Sequence, residues 1–477
     1  MNETASAGST INSATISIVG AGPVGTLLAL LLARAGRTVQ ILERRADPRR
    51  ATGESGRSIN LALAARGLMA LEQAGVLATL RRDMVTMRGR QVHEPGGNSA
   101  LMNYGLHPDE VIHAISRSRL NAALVEFAAH TQGITLRFGQ RCVDVDPAAG
   151  TLQWRDEQSG EVHTEDAPLV IGADGAGSAV RAALLARGAL QEREALLDHD
   201  YKELLIPATA AGGYALERNA LHIWPRGGYM LIALPNPDGS FTATLFLPAQ
   251  GADPSFESLA APGAARACFA REFPDALALL PDFDAQYQRN PQGKLATLYC
   301  WPWHQRGTLL IGDAAHAIVP FHGQGLNCGF EDCSLLAQLL ASGEDPLRCW
   351  ARFERERRPN TDAIAAMALE NYEEMRSRVL APDFARRKQR AAELERAYPG
   401  RFIARYAMVM FHPEIPYAEA QRRGALQERC WMRCWPATAS PCGCWMTPAC
   451  SQRRRAAPPL VTEASRRPWR TDVRPGR

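Results

Sequence analysis

The chain has 477 residues, of which 46% are hydrophobic and 22% are charged, a composition typical of a folded, soluble protein. Its length exceeds one typical hydrophobic core, so two or three lobes are expected. The formal charge is +4, but residues 430–477 alone carry nine Arg against two acidic residues, which leaves −3 on residues 1–429. The nearly neutral main body excludes a basic field for nucleic acid or a membrane surface.

Residues 4–33 contain no charge and are long enough to suggest a membrane segment. A secretory signal would need basic residues before the apolar run and a small-residue cleavage site, whereas Glu3 is the only early charge here. Glycines and a proline also interrupt the run, so we predict no membrane anchor. Residues 1–14, rich in Ser, Thr, Asn and Ala, are expected to be a disordered tail.

An apolar strand, a glycine turn, an apolar helix and a second strand follow one another between residues 16 and 43. The turn has the G-x-G-x-x-G pattern: Gly20 allows the tight turn, Gly22 allows close approach of a pyrophosphate, and Gly25 allows helix–strand packing. Glu43 follows at the distance expected of the acid that binds a ribose hydroxyl. This context favours a nucleotide site over an ordinary buried strand–helix pair.

Two arginines alternate on a strand predicted over residues 87–93, after a polar loop at 53–57 and a helix ending near Ala70. Arg88 and Arg90 would face the same side of that strand. They could form a solvated face, or they could clamp an anionic group, because a guanidinium binds a carboxylate through two hydrogen bonds. The residues alone leave these two interpretations about equal.

Two further loops of small residues follow buried strands. The first ends the apolar run 169–175 with one acidic residue, and the second begins after residues 308–311 and continues through 312–327 into a helix. Such loops bring a polar ligand to the carboxyl ends of strands, and their backbone N–H groups suit negative charge, such as that of a reduced flavin. Together with the first turn they predict one discontinuous site for an extended dinucleotide.

Residues 201–250 change character to three strand-like runs separated by Pro- and Gly-rich turns. This pattern predicts an antiparallel meander and hence a second lobe. Before it, residues 111–130 read as a loop entering an amphipathic helix, with Arg117 and Arg119 at its start.

The three loops together resemble the FAD-dependent aromatic hydroxylases with the p-hydroxybenzoate hydroxylase fold, and within them the kynurenine 3-monooxygenase family. The resemblance covers residues 15–429. The stretches that carry it beyond the flavin loops are GRSINLAL (56–63), MRGR (87–90), YKEL (201–204), NALHIWP (219–225), IVPFHGQG (318–325), MALENY (367–372) and RFIARY (401–406).

The resemblance implies an α/β fold with a Rossmann-like FAD-binding domain, an antiparallel-sheet substrate domain and a C-terminal helical lid. We assign the discontinuous FAD-binding domain to residues 15–72, 111–200 and 291–345. The substrate domain takes residues 73–110 and 201–290, and the helical region takes residues 346–429.

The resemblance also implies roles for individual residues. Arg90, Tyr104, Asn371 and Tyr406 would bind the amino-acid end of the substrate, with Glu374 in support, although the residue pattern around Asn371 and Glu374 alone favours a solvated helix face. Phe321 and His322 would lie beside the substrate ring near the flavin. The expected cofactor-binding residues are Gly20, Gly22, Gly25, Glu43, Arg44, Arg117, Asp174, Gly175, Asp313, Pro320, Gly323, Gly325, Leu326 and Asn327, and no metal site is expected.

The implied reaction is the hydroxylation of L-kynurenine to 3-hydroxy-L-kynurenine, with NADPH and O2 as co-substrates and a flavin C4a-hydroperoxide as the oxygen donor. Two alternatives stay open: an impaired flavoprotein that releases H2O2, or a hydroxylase of another aromatic acid. We expect a cytoplasmic protein, monomeric or homodimeric, with reduced cysteines and no nucleic-acid partner.

Residues 430–477 depart from the family, since they hold four of the nine Trp, five of the eleven Cys and a single Leu. The cysteine spacing fits no zinc pattern well. The composition suggests neither a helix face nor a strand alternation. We therefore expect a largely disordered tail and propose that it arose by a change of reading frame, which sequencing the 3′ end of the gene would test.

Overall fold

The computed structural model describes residues 14–50, 60–381 and 383–434, with side chains to residue 429. The strands are β1 (Ile16–Val19), β2 (Val39–Glu43), β3 (Asn60–Leu63), β4 (Val85–Met87), β5 (Gly89–His93), β6 (Ser99–Asn103), β7 (Ile112–Ser116), β8 (Ile134–Phe138), β9 (Gln140–Asp146), β10 (Thr151–Asp156), β11 (Val162–Asp166), β12 (Leu169–Gly172), β13 (Gln191–Ile206), β14 (Ala220–Pro225), β15 (Met230–Pro235), β16 (Phe241–Pro248), β17 (Gln292–Trp301), β18 (His304–Gln305) and β19 (Thr308–Leu310).

The α-helices are α1 (Pro23–Arg34), α2 (Ala65–Gln73), α3 (Leu77–Leu80), α4 (Arg117–Ala129), α5 (Ala179–Ala186), α6 (Ala264–Glu272), α7 (Pro274–Leu277), α8 (Phe283–Arg289), α9 (Asp313–His316), α10 (Gly325–Ala341), α11 (Pro346–Arg376), α12 (Phe384–Ala397), α13 (Arg405–Phe411) and α14 (Tyr417–Cys434). The described residues also form five short 3-10 turns: Pro48–Arg50, Arg81–Asp83, Ser258–Ala260, Pro320–His322 and Arg378–Leu380.

A six-stranded sheet carries the first lobe, in the order β18-β19-β12-β1-β2-β8. Its strands pair in parallel, except that β18 lies antiparallel to β19. Strand β1 is fully buried, as expected of a parallel strand covered on both faces. The predicted loops follow β1, β12 and β19, which are neighbours in this sheet, so three distant parts of the chain meet at one edge.

A seven-stranded sheet forms the second lobe, in the order β17-β13-β16-β15-β14-β5-β6. The predicted meander is confirmed, because β14, β15 and β16 pair in antiparallel order. One face of the sheet packs against helices α6 to α8, and the other packs against α11 and the helices after it. Strand β5, however, lies parallel to β14, so the sheet is mixed. The architecture is otherwise the predicted combination of a Rossmann-like domain, a largely antiparallel sheet and a helical C-terminal region.

Several boundaries differ from the predicted ones. Strands β13 and β17 belong to the seven-stranded sheet, so this sheet takes in residues 191–200 and 292–301, which we had assigned to the first lobe. The predicted strand over 87–93 is divided at the exposed Arg88 between β4 and β5, which lie in different sheets. The alternation of side chains along residues 87–93 could not predict this division, because it continues unchanged from one strand into the next.

The C-terminal helices continue past the predicted limit at residue 429, since α14 ends at Cys434. Residues up to Gln421 form one compact unit, and the second unit begins at Arg422. The described part of this second unit is the end of α14. The expectations for residues 1–13, 51–59 and 435–477 lie outside the described residues. Within the described part, no helix is both long and apolar enough to cross a membrane.

Candidate functional site

The glycine turn after β1 leaves the start of helix α1 open to a ligand. Gly20 has φ +105°, which only glycine adopts readily, and a Cβ there would lie 2.7 Å from the carbonyl oxygen of Ala173. A Cβ on Gly25 would lie 2.1 Å from the carbonyl oxygen of Gly20. A Cβ on Gly22, by contrast, would meet no atom within 4 Å. Among the described residues, no side chain caps the helix and its first turn holds no acid, so the positive end of its dipole suits a phosphate.

Glu43 lies at the same end of the sheet. Its Oε2 accepts a hydrogen bond from the amide of Ala21 at 2.9 Å, and its Oε1 accepts one from the amide of Arg45 at 2.9 Å. Both bonds hold the carboxylate at the edge of a cavity that Arg44 also lines. The acid and the glycine turn are therefore held together before any ligand binds.

Asp174 and Gly175 follow β12 on the adjacent strand. Asp174 accepts hydrogen bonds from the Ser178 hydroxyl and the Ala179 amide, both at 2.6 Å, so its carboxylate caps helix α5. Burial raises the pKa of Asp174 despite these bonds. Gly175 has φ +82° and, like Asp174, lines the cavity. The hydrogen bonds of Asp174, one of the predicted cofactor-binding residues, thus stabilise the loop that follows β12.

The third loop begins at Gly312, whose φ is +56° and whose amide donates to Asp332 Oδ2 at 3.0 Å. Asp313, next in sequence, is exposed to the cavity yet surrounded by protein, and this enclosure raises the pKa of its carboxyl group, against the opposing charges of His316 and Arg117. Pro320, Gly323, Gly325 and Leu326 line the cavity further along.

Asn327 has a different position from the other predicted cofactor residues. Its Oδ1 accepts from the amide of Ala64 at 2.9 Å, and its Nδ2 donates to the carbonyls of Ala62 and Gly323, both at 2.8 Å. All three contacts are to protein backbone, and the side chain is fully buried. Asn327 therefore ties the loop to strand β3.

An aromatic and cationic group closes the other end of the cavity. The rings of Tyr104 and Tyr406 stack at 5.6 Å, and the ring of His322 stacks on Tyr406 at 5.4 Å. The Arg90 guanidinium carbon lies 5.0 Å from the Tyr406 ring centre and 5.8 Å from that of Tyr104. These side chains come from β5, from the segment after β6, from helix α13 and from the 3-10 turn Pro320–His322.

The charges at this end are set by burial and neighbours. Burial by itself would lower the pKa of Arg90. The neighbouring Tyr406, Tyr104 and Glu374 outweigh this effect and raise the pKa above its ordinary value, so Arg90 stays a cation. Burial, together with the nearby Arg90, lowers the pKa of His322 to about 3, so the ring is neutral at physiological pH. The pocket end therefore holds the Arg90 cation beside neutral rings, with the Glu374 carboxylate as its ion-pair partner, and the guanidinium suits a substrate carboxylate.

Helix α11 supplies the contacts around Arg90. Glu374 Oε1 lies 3.4 Å from Nη1 of Arg90, and Asn371 Oδ1 accepts from Nη2 at 3.4 Å. Asn371 also donates to the carbonyl oxygen of Phe321 at 2.6 Å. The Phe321 ring stacks on Tyr372 with a centroid distance of 3.9 Å.

One cavity of about 1080 Å³ connects all of these parts, from the glycine turn to Arg90. This exceeds the roughly 300–1,000 Å³ of typical small-molecule pockets, so a dinucleotide and a second small ligand have room. Sequence reasoning missed the wall between the two ends. It is lined by side chains of β15 and β16 at every second position: Ile232, Leu234, Thr242, Thr244 and Phe246. The strand alternation of the meander was the signal that could have identified them.

FAD fits this arrangement. The open Cβ position at Gly22 and the uncapped start of α1 suit its pyrophosphate, and the cavity continues past Glu43 and Asp313 toward Arg90. A buried cluster of His316, Cys328 and Asp332 has metal-like spacing, with ligand atoms within 4.8 Å. Asp332, however, also forms an ion pair with Arg357 at 2.6 Å. The Arg357 guanidinium therefore already supplies the positive charge that a metal ion would bring to this carboxylate.

The comparisons agree with this geometry. The model of the FAD binding domain family matches residues 13–222 and 270–368. In solved structures, 2-methyl-3-hydroxypyridine-5-carboxylic acid oxygenase is 23% identical with a TM-score of 0.63, covering 80% of this chain and 98% of that chain. The p-nitrophenol 4-monooxygenase of Pseudomonas putida is 18% identical with a TM-score of 0.63, covering 87% and 98%. Fold, site and family model together define an FAD-binding protein.

Sequence relatives specify the family. Kynurenine 3-monooxygenase of Stenotrophomonas maltophilia is 52% identical over 416 residues, which are 87% of this chain and 91% of that protein. The enzyme of the same name from Myxococcus xanthus is 48% identical over 415 residues, or 87% and 89%. The chain belongs to the kynurenine 3-monooxygenase family, as the sequence motifs had indicated.

Proposed function

We propose that this protein hydroxylates L-kynurenine at ring carbon 3, with FAD as cofactor and NADPH and O2 as co-substrates. The observation that carries the proposal is the cation of Arg90, 11% exposed and flanked by Tyr104, Tyr406 and Glu374, at the end of a cavity that begins at the glycine turn. The names of the relatives given above identify kynurenine as their substrate. Kynurenine has a carboxylate, which a guanidinium such as that of Arg90 would bind.

The chain's residues would hold the cofactor through the three loops. The amides after Gly20 would bind the pyrophosphate, Glu43 the adenosine ribose, and Asp313 the ribityl hydroxyls, with Arg44, Arg117 and Gly175 along the path. When bound, FAD supplies the redox chemistry that joins NADPH oxidation to oxygen activation. The side chains supply orientation and electrostatics.

The substrate would lie between Arg90 and the 3-10 turn Pro320–His322. Its carboxylate would accept hydrogen bonds from Arg90, while Phe321 and the β15–β16 wall would enclose the aromatic ring. Exclusion of water by this wall would favour transfer of oxygen to the ring over release of H2O2. His322 is neutral, so it would add no second charge beside the substrate carboxylate.

We infer a corresponding division of labour within the chain. The six-stranded sheet and its helices would bind FAD, the seven-stranded sheet would bind the substrate ring, and residues 346–429 would cover both. The cysteines at 142, 268, 300, 328, 333 and 349 are free and buried, which supports a reducing, cytoplasmic setting.

The test is NADPH oxidation by the FAD-loaded protein with and without L-kynurenine, with 3-hydroxykynurenine and H2O2 quantified in the same sample. Kynurenine should stimulate NADPH oxidation, and the amount of 3-hydroxykynurenine formed should nearly equal the amount of NADPH oxidised. Stimulated turnover that yields only H2O2 would favour the impaired flavoprotein, and no stimulation would favour another aromatic acid. A chain ended after Cys434 should behave like the full chain, because every residue of the candidate site precedes Arg422.

A further inference from the structure

The side-chain amide of Asn371 contacts two parts of the candidate site at once. Its Oδ1 accepts a hydrogen bond from Nη2 of Arg90 at 3.4 Å, and its Nδ2 donates to the carbonyl oxygen of Phe321 at 2.6 Å. Nδ2 also lies 3.3 Å from the sulfur of Met375. The residue is only 5% exposed, so protein encloses the amide and both of its ends are used.

The chemistry of these partners determines which way the amide points. A guanidinium can only donate hydrogen bonds, and a backbone carbonyl can only accept them. Rotating the amide by half a turn would set NH2 against Arg90 and oxygen against the Phe321 carbonyl, which would break both bonds. Asn371 is therefore a directional link between the two groups.

The neighbouring residues of helix α11 strengthen the same connection. Glu374 pairs with the other terminal nitrogen of Arg90 at 3.4 Å, and the Tyr372 ring stacks on Phe321 at 3.9 Å. One end of a continuous helix thus holds a residue of β5 and a residue of the 3-10 turn Pro320–His322, although these are more than 200 positions apart in the sequence.

We propose that Asn371 is a positioning residue that couples Arg90 to the loop 320–325, so that the site for the substrate carboxylate and the cofactor loop keep one relative position. The inference rests on the proposed function for the identity of the substrate. Without the link, kynurenine would still find the cation of Arg90, but its ring would no longer lie in a defined place relative to the loop. The oxygen would then leave as H2O2, by NADPH + H⁺ + O2 → NADP⁺ + H2O2.

The first test is amide hydrogen exchange of the loop 320–325 in the FAD-loaded protein without substrate. Asn371→Leu keeps a similar side-chain size but removes both hydrogen bonds, so exchange in this loop should become faster. The matched control is Glu373→Gln, in the same turn of α11, whose side chain is 54% exposed and pairs with Arg378 rather than Arg90, and the loop should exchange as in the unmodified protein. If Asn371→Leu fails to fold, Asn371→Ala serves in its place.

The second test compares substrate affinity with product yield. Asn371→Leu should change the Kd for kynurenine by roughly threefold or less, because Arg90 keeps Glu374, while the H2O2 formed per NADPH at saturating kynurenine should rise several-fold. Glu373→Gln should leave both the Kd and that ratio unchanged. A Kd raised by more than roughly tenfold with an unchanged ratio would overturn the proposal, since Asn371 would then only bind substrate.

The two proposals can fail separately. If the unmodified protein gives no 3-hydroxykynurenine, the proposed function fails, and the substrate-free exchange experiment still decides whether Asn371 holds the loop. If the unmodified protein is productive but Asn371→Leu leaves both loop exchange and the H2O2 ratio unchanged, the coupling role of Asn371 is refuted.

Discussion

Arg90 has an environment assembled from several separate segments of the chain. Tyr104 and Tyr406 flank its guanidinium, Glu374 and Asn371 bind its nitrogens, and the side chain is about one-tenth exposed. A buried cation held by one carboxylate and two rings retains hydrogen-bonding capacity for an anion. At the residue scale, Arg90 is therefore the group placed to bind a substrate carboxylate.

Arg90→Ala should weaken kynurenine binding and leave the FAD content unchanged, because Arg90 lies at the far end of the cavity from the glycine turn. Loss of hydrogen bonds to a charged group costs about 1.5–3 kcal/mol, which corresponds to a Kd raised roughly 10- to 150-fold. Calorimetric titration with kynurenine and the flavin absorbance of the purified protein would measure the two effects. Loss of bound FAD would show that the role assigned to Arg90 is wrong, and Arg90→Lys, which keeps the charge, should bind better than Arg90→Ala.

At the scale of elements, the C-terminal helices hold the loop on which the cofactor would rest. The Tyr417 hydroxyl at the start of α14 donates to Oε1 of the fully buried Gln324 at 2.7 Å. Arg66 of α2 lies 4.0 Å from the Tyr417 ring centre and donates to Glu331 at 2.6 Å and to the carbonyl of Pro413 at 3.2 Å. Helix α2, helix α10 and the start of α14 therefore share one buried polar network.

Tyr417→Phe should destabilise this network and weaken FAD retention. Removing the hydroxyl leaves Oε1 of Gln324 without its donor, at a cost of about 1–3 kcal/mol. Urea unfolding and equilibrium dialysis of FAD would measure stability and retention. Tyr398→Phe, at the half-buried end of α12, is the matched control and should change neither. Unchanged stability and FAD affinity in Tyr417→Phe would contradict a holding role for Tyr417.

At the scale of the whole molecule, buried neutral histidines couple folding to pH. Burial, with a smaller contribution from His93, lowers the pKa of His222 to about 4, and burial lowers that of His322 to about 3. His222 fits a neutral ring, since its Nε2 donates to the carbonyl of Glu217 at 2.8 Å and its Nδ1 accepts from His93 at 2.9 Å. In the unfolded chain both residues would take up protons below the ordinary value of 6.5.

The free energy of unfolding should therefore fall as the pH is lowered from about 6.5 to about 5, by up to about 1.4 kcal/mol per pH unit for each histidine. In this range the two histidines bind protons in the unfolded state but not in the folded state. Their contribution to stability is therefore fully present above the pKa of the unfolded state and is lost as the pH falls toward the pKa of the folded state. Urea unfolding at several pH values would give the slope. His222→Gln should flatten it, whereas His130→Gln, at a ring that is 74% exposed, should not.

The sequence by itself determined the local elements and indicated the class of ligand, an extended dinucleotide. The glycine turn at 20–25, the acid Glu43 and the two later loops could be predicted because each feature is local, and the antiparallel meander followed from its turns. The family motifs then indicated the kynurenine 3-monooxygenase family, which the relatives confirmed. Apart from the glycine turn and Glu43, whose roles followed from their pattern, roles for single site residues came from the resemblance, and all of these roles stay predictions.

The tertiary structure decided what each predicted residue contacts. It showed that Asp174 caps helix α5, that Asn327 ties a loop to β3, and that Asn371 links Arg90 to Phe321. It also assigned β13 and β17 to the seven-stranded sheet and separated β4 from β5. Periodicity along the chain predicts which face of an element is apolar, but hydrogen-bond partners distant in sequence depend on how the elements pack, and only the folded chain brings them together.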